Sequence, residues 1–597
     1  MSIPKQRTTN LVAAILAIAL VIGGCTTTGS TDSSIADVGT DQAAAEASAA
    51  AGEASESDAG ADGVDEATSS ENAIAASTDN QESHFEASDL EYDASAVVEI
   101  SLDDTDTTAD GDGVSIDGSL VMITDEGTYL LAGSLADGQI IVEARADADV
   151  ILILDGVDIT NPEGAAIAIT SADEVVIVLA DGTTNRLTDG DSYLFPDAGI
   201  DEPNATLYSA SDLTIAGDGE LTIDANYNDG IAGKDGLVIE SGTISVVATD
   251  DGIRGKDYVI VSGGVLTIDS GGDGIKADND EDAERGYVLI TRGVVDVTSG
   301  DDGVQAATDV LVAGGSVNVD AGSSSADGRA IVGDVLVVIG GGEIAATATD
   351  DAIHSNQGIT IDGGALTLAS GDDGIHADDL VTINGGTIII TEAFEGIESE
   401  MIEINDGFID ITSSDDGLNV ASADATATGV RGRGPGGGGG GGATGDYFIT
   451  INGGTTVITI TDNLAEQGDG IDSNGHVEMT GGVVVVNGPT DSRNSALDYN
   501  GTFVMTGGLL IGTNIDGRMS EGIGSGSTQA SLYLTSDSTL NAGTVIHIRS
   551  ADGQATDEGG LVTFVPANDY SVIVFSSPDL DDGGIYEVEL GGTVTGA

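Results

Sequence analysis

From Ala96 onward, short runs of Val, Ile, Leu and Thr alternate with Gly- and Asp-rich breaks, beginning with Ala96-Val97-Val98-Glu99-Ile100. Runs of three to five such residues between turn formers predict strands rather than helices. The breaks themselves recur. An acid, a small residue and an aliphatic residue stand at Asp229-Gly230-Ile231, Asp251-Gly252-Ile253, Asp273-Gly274-Ile275, Asp302-Gly303-Val304, Asp351-Ala352-Ile353, Asp373-Gly374-Ile375, Glu395-Gly396-Ile397, Asp416-Gly417-Leu418 and Asp469-Gly470-Ile471. Successive starts differ by 22, 22, 29, 49, 22, 22, 21 and 53 residues. The interval of 49 holds a weaker copy, Asp327-Gly328 followed by Ala330-Ile331, and the interval of 53 holds an insertion, 421–445, with seven consecutive glycines from Gly436 to Gly442.

Between these marks lies a second one, a Gly pair followed by an aliphatic strand, as at Gly263-Gly264, Gly314-Gly315, Gly341-Gly342, Gly363-Gly364, Gly385-Gly386 and Gly453-Gly454. Two turn signals and at least two short strands in each period of about 22 residues predict an all-β fold, a parallel β-helix whose coils stack one on another. Weaker coils extend this towards the N-terminus through Ile151-Leu152-Ile153-Leu154, Ala166-Ile167 and Val175–Leu179. Beyond about residue 530 the period fades. The segment 531–597, with strands expected at Thr544–Ile548 and Val572–Phe575, reads as a β cap over an otherwise open strand edge.

The first 94 residues lack this pattern. Lys5 and Arg7 precede an apolar run from Leu11 to Ile22, and Ile22-Gly23-Gly24-Cys25 follows. Twelve apolar residues are too few to span a bilayer, so the segment reads as a signal peptide. It resembles a bacterial lipoprotein signal, which implies cleavage before Cys25, lipidation of that thiol, and an exported, membrane-anchored protein at the cell surface or in the periplasm. Residues 25–94 are Ser, Ala, Asp, Glu, Gly and Thr with few aliphatics, and are expected to form a disordered acidic tether.

Composition narrows function. With 103 acidic against 16 basic residues the formal charge is −87, which excludes phosphate-backbone binding and so nucleic acid. Such acidity suits either salt adaptation or bridging by hard divalent cations such as Ca²⁺. Stacking turns each acid of the mark into a column with a spacing of about 4.8 Å. The candidate calcium ligands are Asp251, Asp273, Asp278, Asp302, Asp351, Asp372, Asp373, Asp378, Asp379 and Asp416; the alternative is that Asp-Gly is simply good turn chemistry. Calcium-binding nonapeptide repeats do not fit a period of 22.

Four cations share offsets on three consecutive coils: Lys234 and Lys256 stand five after the acid of the mark, Arg254 and Lys276 three after it. They read either as a strip that binds the carboxylates of an acidic polysaccharide or as neutralisers of the Asp column. At the offset three after the mark, later coils carry His354, His376 and Glu398. These could form a metal site or an acid/base pair, or be ordinary ladder residues. No nucleophile motif and no phosphate-binding loop is present.

The stretch Gly371-Asp372-Asp373-Gly374-Ile375-His376-Ala377-Asp378, the turn Asn384-Gly385-Gly386-Thr387-Ile388, the Gly-rich insertion after Arg431-Gly432-Arg433-Gly434, and the ending Phe575-Ser576-Ser577-Pro578-Asp579-Leu580 together resemble a family of bacterial carbohydrate-binding proteins. Its members are pectate-lyase-like β-helices that bind cellulose and polygalacturonate and contain calcium. The resemblance implies a right-handed helix over about residues 95–597, carbohydrate binding, and calcium as the cofactor. It also resembles calcium-dependent pectate lyases, in which a Lys or Arg removes the proton α to the uronate carboxylate. Lys276 or Lys256 would be the candidate base, although no complete lyase signature is present. The expectation is a monomeric, non-catalytic polysaccharide-binding lipoprotein, with a polysaccharide lyase and a surface adhesin or spacer as the alternatives.

Overall fold

A computed structural model describes residues 80–195, 201–421, 445–461, 468–517, 520–551 and 560–592. The signal segment with Cys25, the tether to residue 79 and nearly all of the 421–445 insertion lie outside the described residues. The chain divides into two compact units, a large one (64–542 with 566–582) and a small one that includes 543–565 and 583–597.

The large unit is a parallel β-solenoid of about 14 turns, in accord with the right-handed β-helix expected from the sequence. A typical coil has three strands, for example Ile253–Gly255, Tyr258–Val261 and Val265–Ser270. Each pairs in parallel with its equivalents in the coils before and after, so the coils build three continuous ladders. The first ladder begins two residues after the acid of the mark. The second follows within a few residues, and the third follows the Gly pair. No α-helix occurs among the described residues, and no helix is long and apolar enough to cross a membrane.

Both glycines of the pattern are explained locally. The second residue of the Gly pair turns the chain from the second to the third ladder with positive φ, +83° at Gly264 and +94° at Gly364, which costs L side chains strain. The mark glycine has another reason. A Cβ on Gly252 would lie far inside contact distance of Ile268 Cγ2 and 2.7 Å from the carbonyl oxygen of Gly274 in the next coil. Val or Ile therefore faces Gly across the interior, as Val246 does Gly230 and Val297 does Gly274. Where the mark carries Ala instead, the facing position holds Ala346 opposite Ala330, Leu368 opposite Ala352, or Gly512 opposite Ala496. None of these three has a β-branch.

The core is a stack of aliphatic residues in register, such as Ile231, Ile253 and Ile275, each fully buried. The weaker copy of the mark falls two residues later than its Asp327 suggested, because Ile331 pairs with Val304 and Ile353. Arg329 thus occupies the place of the acid.

The second ladder has an apolar outer strip as well, made by Val238, Tyr258, Ile260, Tyr287, Leu289, Leu311 and Val338. Residues 80–90, within the segment expected as a tether, lie across it. Phe85 packs on the strip, Asn80 donates to Asp309 at 3.0 Å, the Tyr287 hydroxyl donates to the carbonyl of Gln81 at 2.7 Å, and His84 meets the hydroxyls of Tyr258 at 2.8 Å and Thr214 at 2.9 Å. Ala87–Leu90 closes the segment with a 3-10 turn. Burial lowers the pKa of His84 to about 4.

At the C-terminal end, Tyr570–Ser576 pairs antiparallel with both Leu509–Asn514 of the last coil and Ser531–Leu540. The exposed ladder edge is thereby covered. In the small unit, Ile546–Ser550 pairs antiparallel with Gly560–Phe564 and Tyr586–Leu590.

Candidate functional site

Along the first ladder the acids of the mark form a largely buried column, and most of them perform the same local task. Oδ1 accepts the backbone N–H of the equivalent residue in the next coil: Asp251 from Asp273 at 3.0 Å, Asp273 from Asp302 at 2.9 Å, Asp302 from Arg329 at 2.8 Å and Asp351 from Asp373 at 2.9 Å. A short acceptor aimed at an otherwise buried amide is the reason for Asp at this corner. The other oxygen is left to face outward.

One position recurs beside that second oxygen, the residue three after the acid. In register it reads Ala232, Arg254, Lys276, Gln305, Val332, His354, His376, Glu398, Asn419, Asp472 and Asp498. Arg254 reaches Asp229 Oδ2 at 2.7 Å, Asp278 at 3.2 Å and Asp251 at 3.8 Å. Lys276 lies 2.5 Å from Asp273 and 3.8 Å from Asp251. Burial works against the Lys276 charge, but Asp251 and Asp273 outweigh it and hold the ammonium above its ordinary pKa. Lys234 is paired with Glu202. Lys256, half-buried, makes no ion pair among the described residues. Three of the four cations of the expected glycan strip are thus engaged by acids of their own chain. Asp379 is exposed, and Asp378 lies 3.6 Å from His376 Nε2.

The two histidines take the cation's place in their coils. His354 Nδ1 is 2.8 Å from Asp351 Oδ2, and His376 Nδ1 is 2.9 Å from Asp373 Oδ2. Desolvation opposes a charge on His376, yet its bonds to Asp373 and Asp378 and the charges of Asp373 and Asp351 push its pKa up to about 12.

Further along, compensation ends. Asp416, Asp469 and Asp472 place carboxylate oxygens within 4.8 Å of one another, and among the described residues none of the three faces a cation. Burial, followed by the charge of Asp472, pushes Asp416 and Asp469 well above the carboxylate range; burial and the charges of Asp498 and Asp415 push Asp472 up to about 7. Asn419 sits in the same column, donates to Glu395 at 2.7 Å, and leaves its buried Oδ1 with no hydrogen-bond partner. Three carboxylates and an orphaned amide oxygen match the hard-oxygen donor set of Ca²⁺. Of the expected ligands only Asp416 belongs to this group. Asp350, Asp351 and Asp372 form a second acidic group of the same reach.

A different feature lies on the outer face of the third ladder. An open groove of about 570 Å³ crosses six consecutive coils and is floored by Thr267, Asp269, Asp296, Asn318, Asp320 and Thr347, among other short side chains, with no Lys or Arg in its lining. Asn318 donates to Asp296 at 2.7 Å across adjacent coils. Six coils span about 24 Å at the usual strand spacing. Sequence reasoning missed this groove, because its residues are the polar half of ordinary strand alternation.

Residues 117–374 match the family model described as carbohydrate-binding domain-containing protein. A carbohydrate-binding domain-containing protein of Acetivibrio thermocellus is 45% identical over 150 residues, 25% of this chain and 52% of that protein. The match therefore spans about half the length of the curated relative. A solved structure described as the polysaccharide lyase-like protein from C. thermocellum, a gadolinium derivative, aligns with 31% identity over 52% of this chain and 99% of its own, with a TM-score of 0.35.

Proposed function

We propose that this protein, whose residues 117–374 belong to the carbohydrate-binding domain family, binds a polysaccharide chain along the third-ladder groove, outside the cytoplasm and tethered by a lipid on Cys25. The groove carries the reading. All its named floor residues fall within the family segment, and its hydroxyl, amide and carboxylate groups are the partners that sugar hydroxyls require. Calcium accompanies this function in our reading: Asp416, Asp469, Asp472 and the Asn419 carbonyl would hold it, and the ion would neutralise acids that burial otherwise forces to keep protons.

The groove's own charge decides between glycans. Its acids and lack of cations favour a neutral chain such as cellulose, whereas an acidic chain such as polygalacturonate needs divalent ions to bridge carboxylate to carboxylate. A lyase is disfavoured by Lys276, since an ammonium held protonated by two carboxylates is a poor proton acceptor.

The test is retention of the full chain on insoluble cellulose and on polygalacturonate gel, each with Ca²⁺ or a chelator. Binding to cellulose in both conditions, with polygalacturonate retained only with Ca²⁺, is expected. Replacing Asn318 by Trp, which fills the groove, should abolish retention on both. Undiminished retention by that variant would remove the groove from the proposal, and no retention on either glycan would remove the function.

A further inference from the structure

Two of the five histidines in the chain stack in adjacent coils, and both turn the same nitrogen inward. His354 Nδ1 and His376 Nδ1 converge on Asp351 Oδ2, at 2.8 Å and 3.7 Å, with ring centroids 5.0 Å apart. All three ligand atoms lie within 4.8 Å of one another. Asp373 Oδ2, 2.9 Å from His376 Nδ1, and Glu398, 3.9 Å from it, form an overlapping group that shares only His376 with the first. The opposite ring nitrogens both point to acceptors: His354 Nε2 to Asn356 Oδ1 at 3.0 Å, His376 Nε2 to Asp378 Oδ1 at 3.6 Å. Asn356 is itself fixed, donating to Asp334 at 3.1 Å. A pair of imidazoles whose inner nitrogens share a carboxylate and whose outer N–H groups are each held by an oxygen is the arrangement that orients histidine on a metal.

We propose that Asp351, His354 and His376, with Asp373 beside His376, form a site for a borderline transition-metal ion of the Zn²⁺ class. Two nitrogens with carboxylates suit a tetrahedral zinc-like ion and are a poor set for Ca²⁺, which takes oxygen ligands. Column electrostatics agree. Arg254 and Lys276 supply positive charge beside the acids of their coils, and Arg329 stands 3.9 Å from Asp351 on one side only; a divalent ion would complete the compensation here by displacing the proton that the neighbouring acids hold on His376. The site is separate from the Asp416 cluster and does not depend on the glycan reading.

The experiment uses the full chain, stripped with chelator and then titrated calorimetrically with Zn²⁺ at neutral pH in excess Ca²⁺. One equivalent is expected to bind. His354→Gln with His376→Gln should abolish that equivalent whether or not the melting temperature in chelator falls with the lost bonds to Asp351 and Asp373, and Asn356→Ala should weaken it by about 10-fold to 100-fold. Zinc bound equally by the double variant, or none retained by the wild-type chain against Ca²⁺, overturns the proposal. Should the double variant not fold, Co²⁺ substituted into the wild-type chain decides: the intense visible absorption of a tetrahedral nitrogen-ligated ion supports the site, and the weak absorption of an octahedral aqueous ion refutes it.

Discussion

Replacing Gly252 by Ala tests the size matching between the mark and the third ladder. The added methyl would strike Ile268 Cγ2, and Ile268 is 2% exposed and cannot swing out. Overpacking of a closed interior costs about 1–3 kcal/mol. The contact with the Gly274 carbonyl is not decisive, because Ala330 and Ala352 occupy the equivalent place in other coils. Their facing residues are Ala346 and Leu368, so Ile268→Leu should relieve Gly252→Ala, while costing less than about 1.5 kcal/mol alone. The double variant should therefore be more stable than the sum of the singles by about 1–2 kcal/mol, within the range of coupled neighbours. Stacked coils need not unfold in one step, so the assay is amide exchange of residues 251–277 together with the melting temperature. Full protection in Gly252→Ala, or no recovery with Ile268→Leu, would refute the reasoning.

Three further outcomes are expected. Asp251→Ala leaves the buried N–H of Asp273 without its acceptor and should cost about 1–3 kcal/mol, whereas Asp251→Asn keeps an oxygen there and should cost less in the same melt. Removing residues 80–90 uncovers the strip around Tyr258 and Tyr287 and should cause self-association in size-exclusion chromatography; a monodisperse monomer would contradict this. His84 and Glu174 oppose each other in pH dependence. With its pKa lowered to about 4, His84 weakens docking of the segment as pH falls from about 6.5 towards 4, while Glu174, which lies 3.6 Å from His84 Nε2 and is raised to about 7 by burial first and Asp89 second, weakens it as pH rises from about 4.3 towards 7. Glu174→Gln should reduce the loss on the alkaline side, where Asp212, 3.4 Å from His84 and also raised by burial, still contributes, and should keep the acid-side loss, read as faster amide exchange of residues 80–90 below pH 6.5 or so; exchange independent of pH would refute it.

The coil and its two turn signals were legible because each leaves a repeated residue that no other local structure requires. What the acid does was not legible. Asp-Gly repeats look the same whether Oδ1 holds a backbone amide or a metal, and only the register reveals that Asp273 caps Asp302. Arg329 escaped for the same reason, since the weak copy's Asp327 drew attention two residues away from the ladder position. Arg254 and Lys276 read as a strip, and Asp273, three residues before Lys276, is a local partner; Asp229, which Arg254 reaches across from the neighbouring coil, follows only from the register. The outer strip of the second ladder was hidden in strands that are apolar on both faces, such as Tyr258–Val261, whose second face signals a covering segment.

Among the charged and titratable residues three after the mark, the sign shifts along the axis, from Arg254 and Lys276 through the histidines to Glu398, Asp472 and Asp498, with the uncharged Gln305, Val332 and Asn419 between. Chemically identical coils would present the same charge at every step along the axis. These coils do not, so the two ends of the first ladder differ in charge, and any charged chain laid along it meets favourable and unfavourable ends in a fixed order.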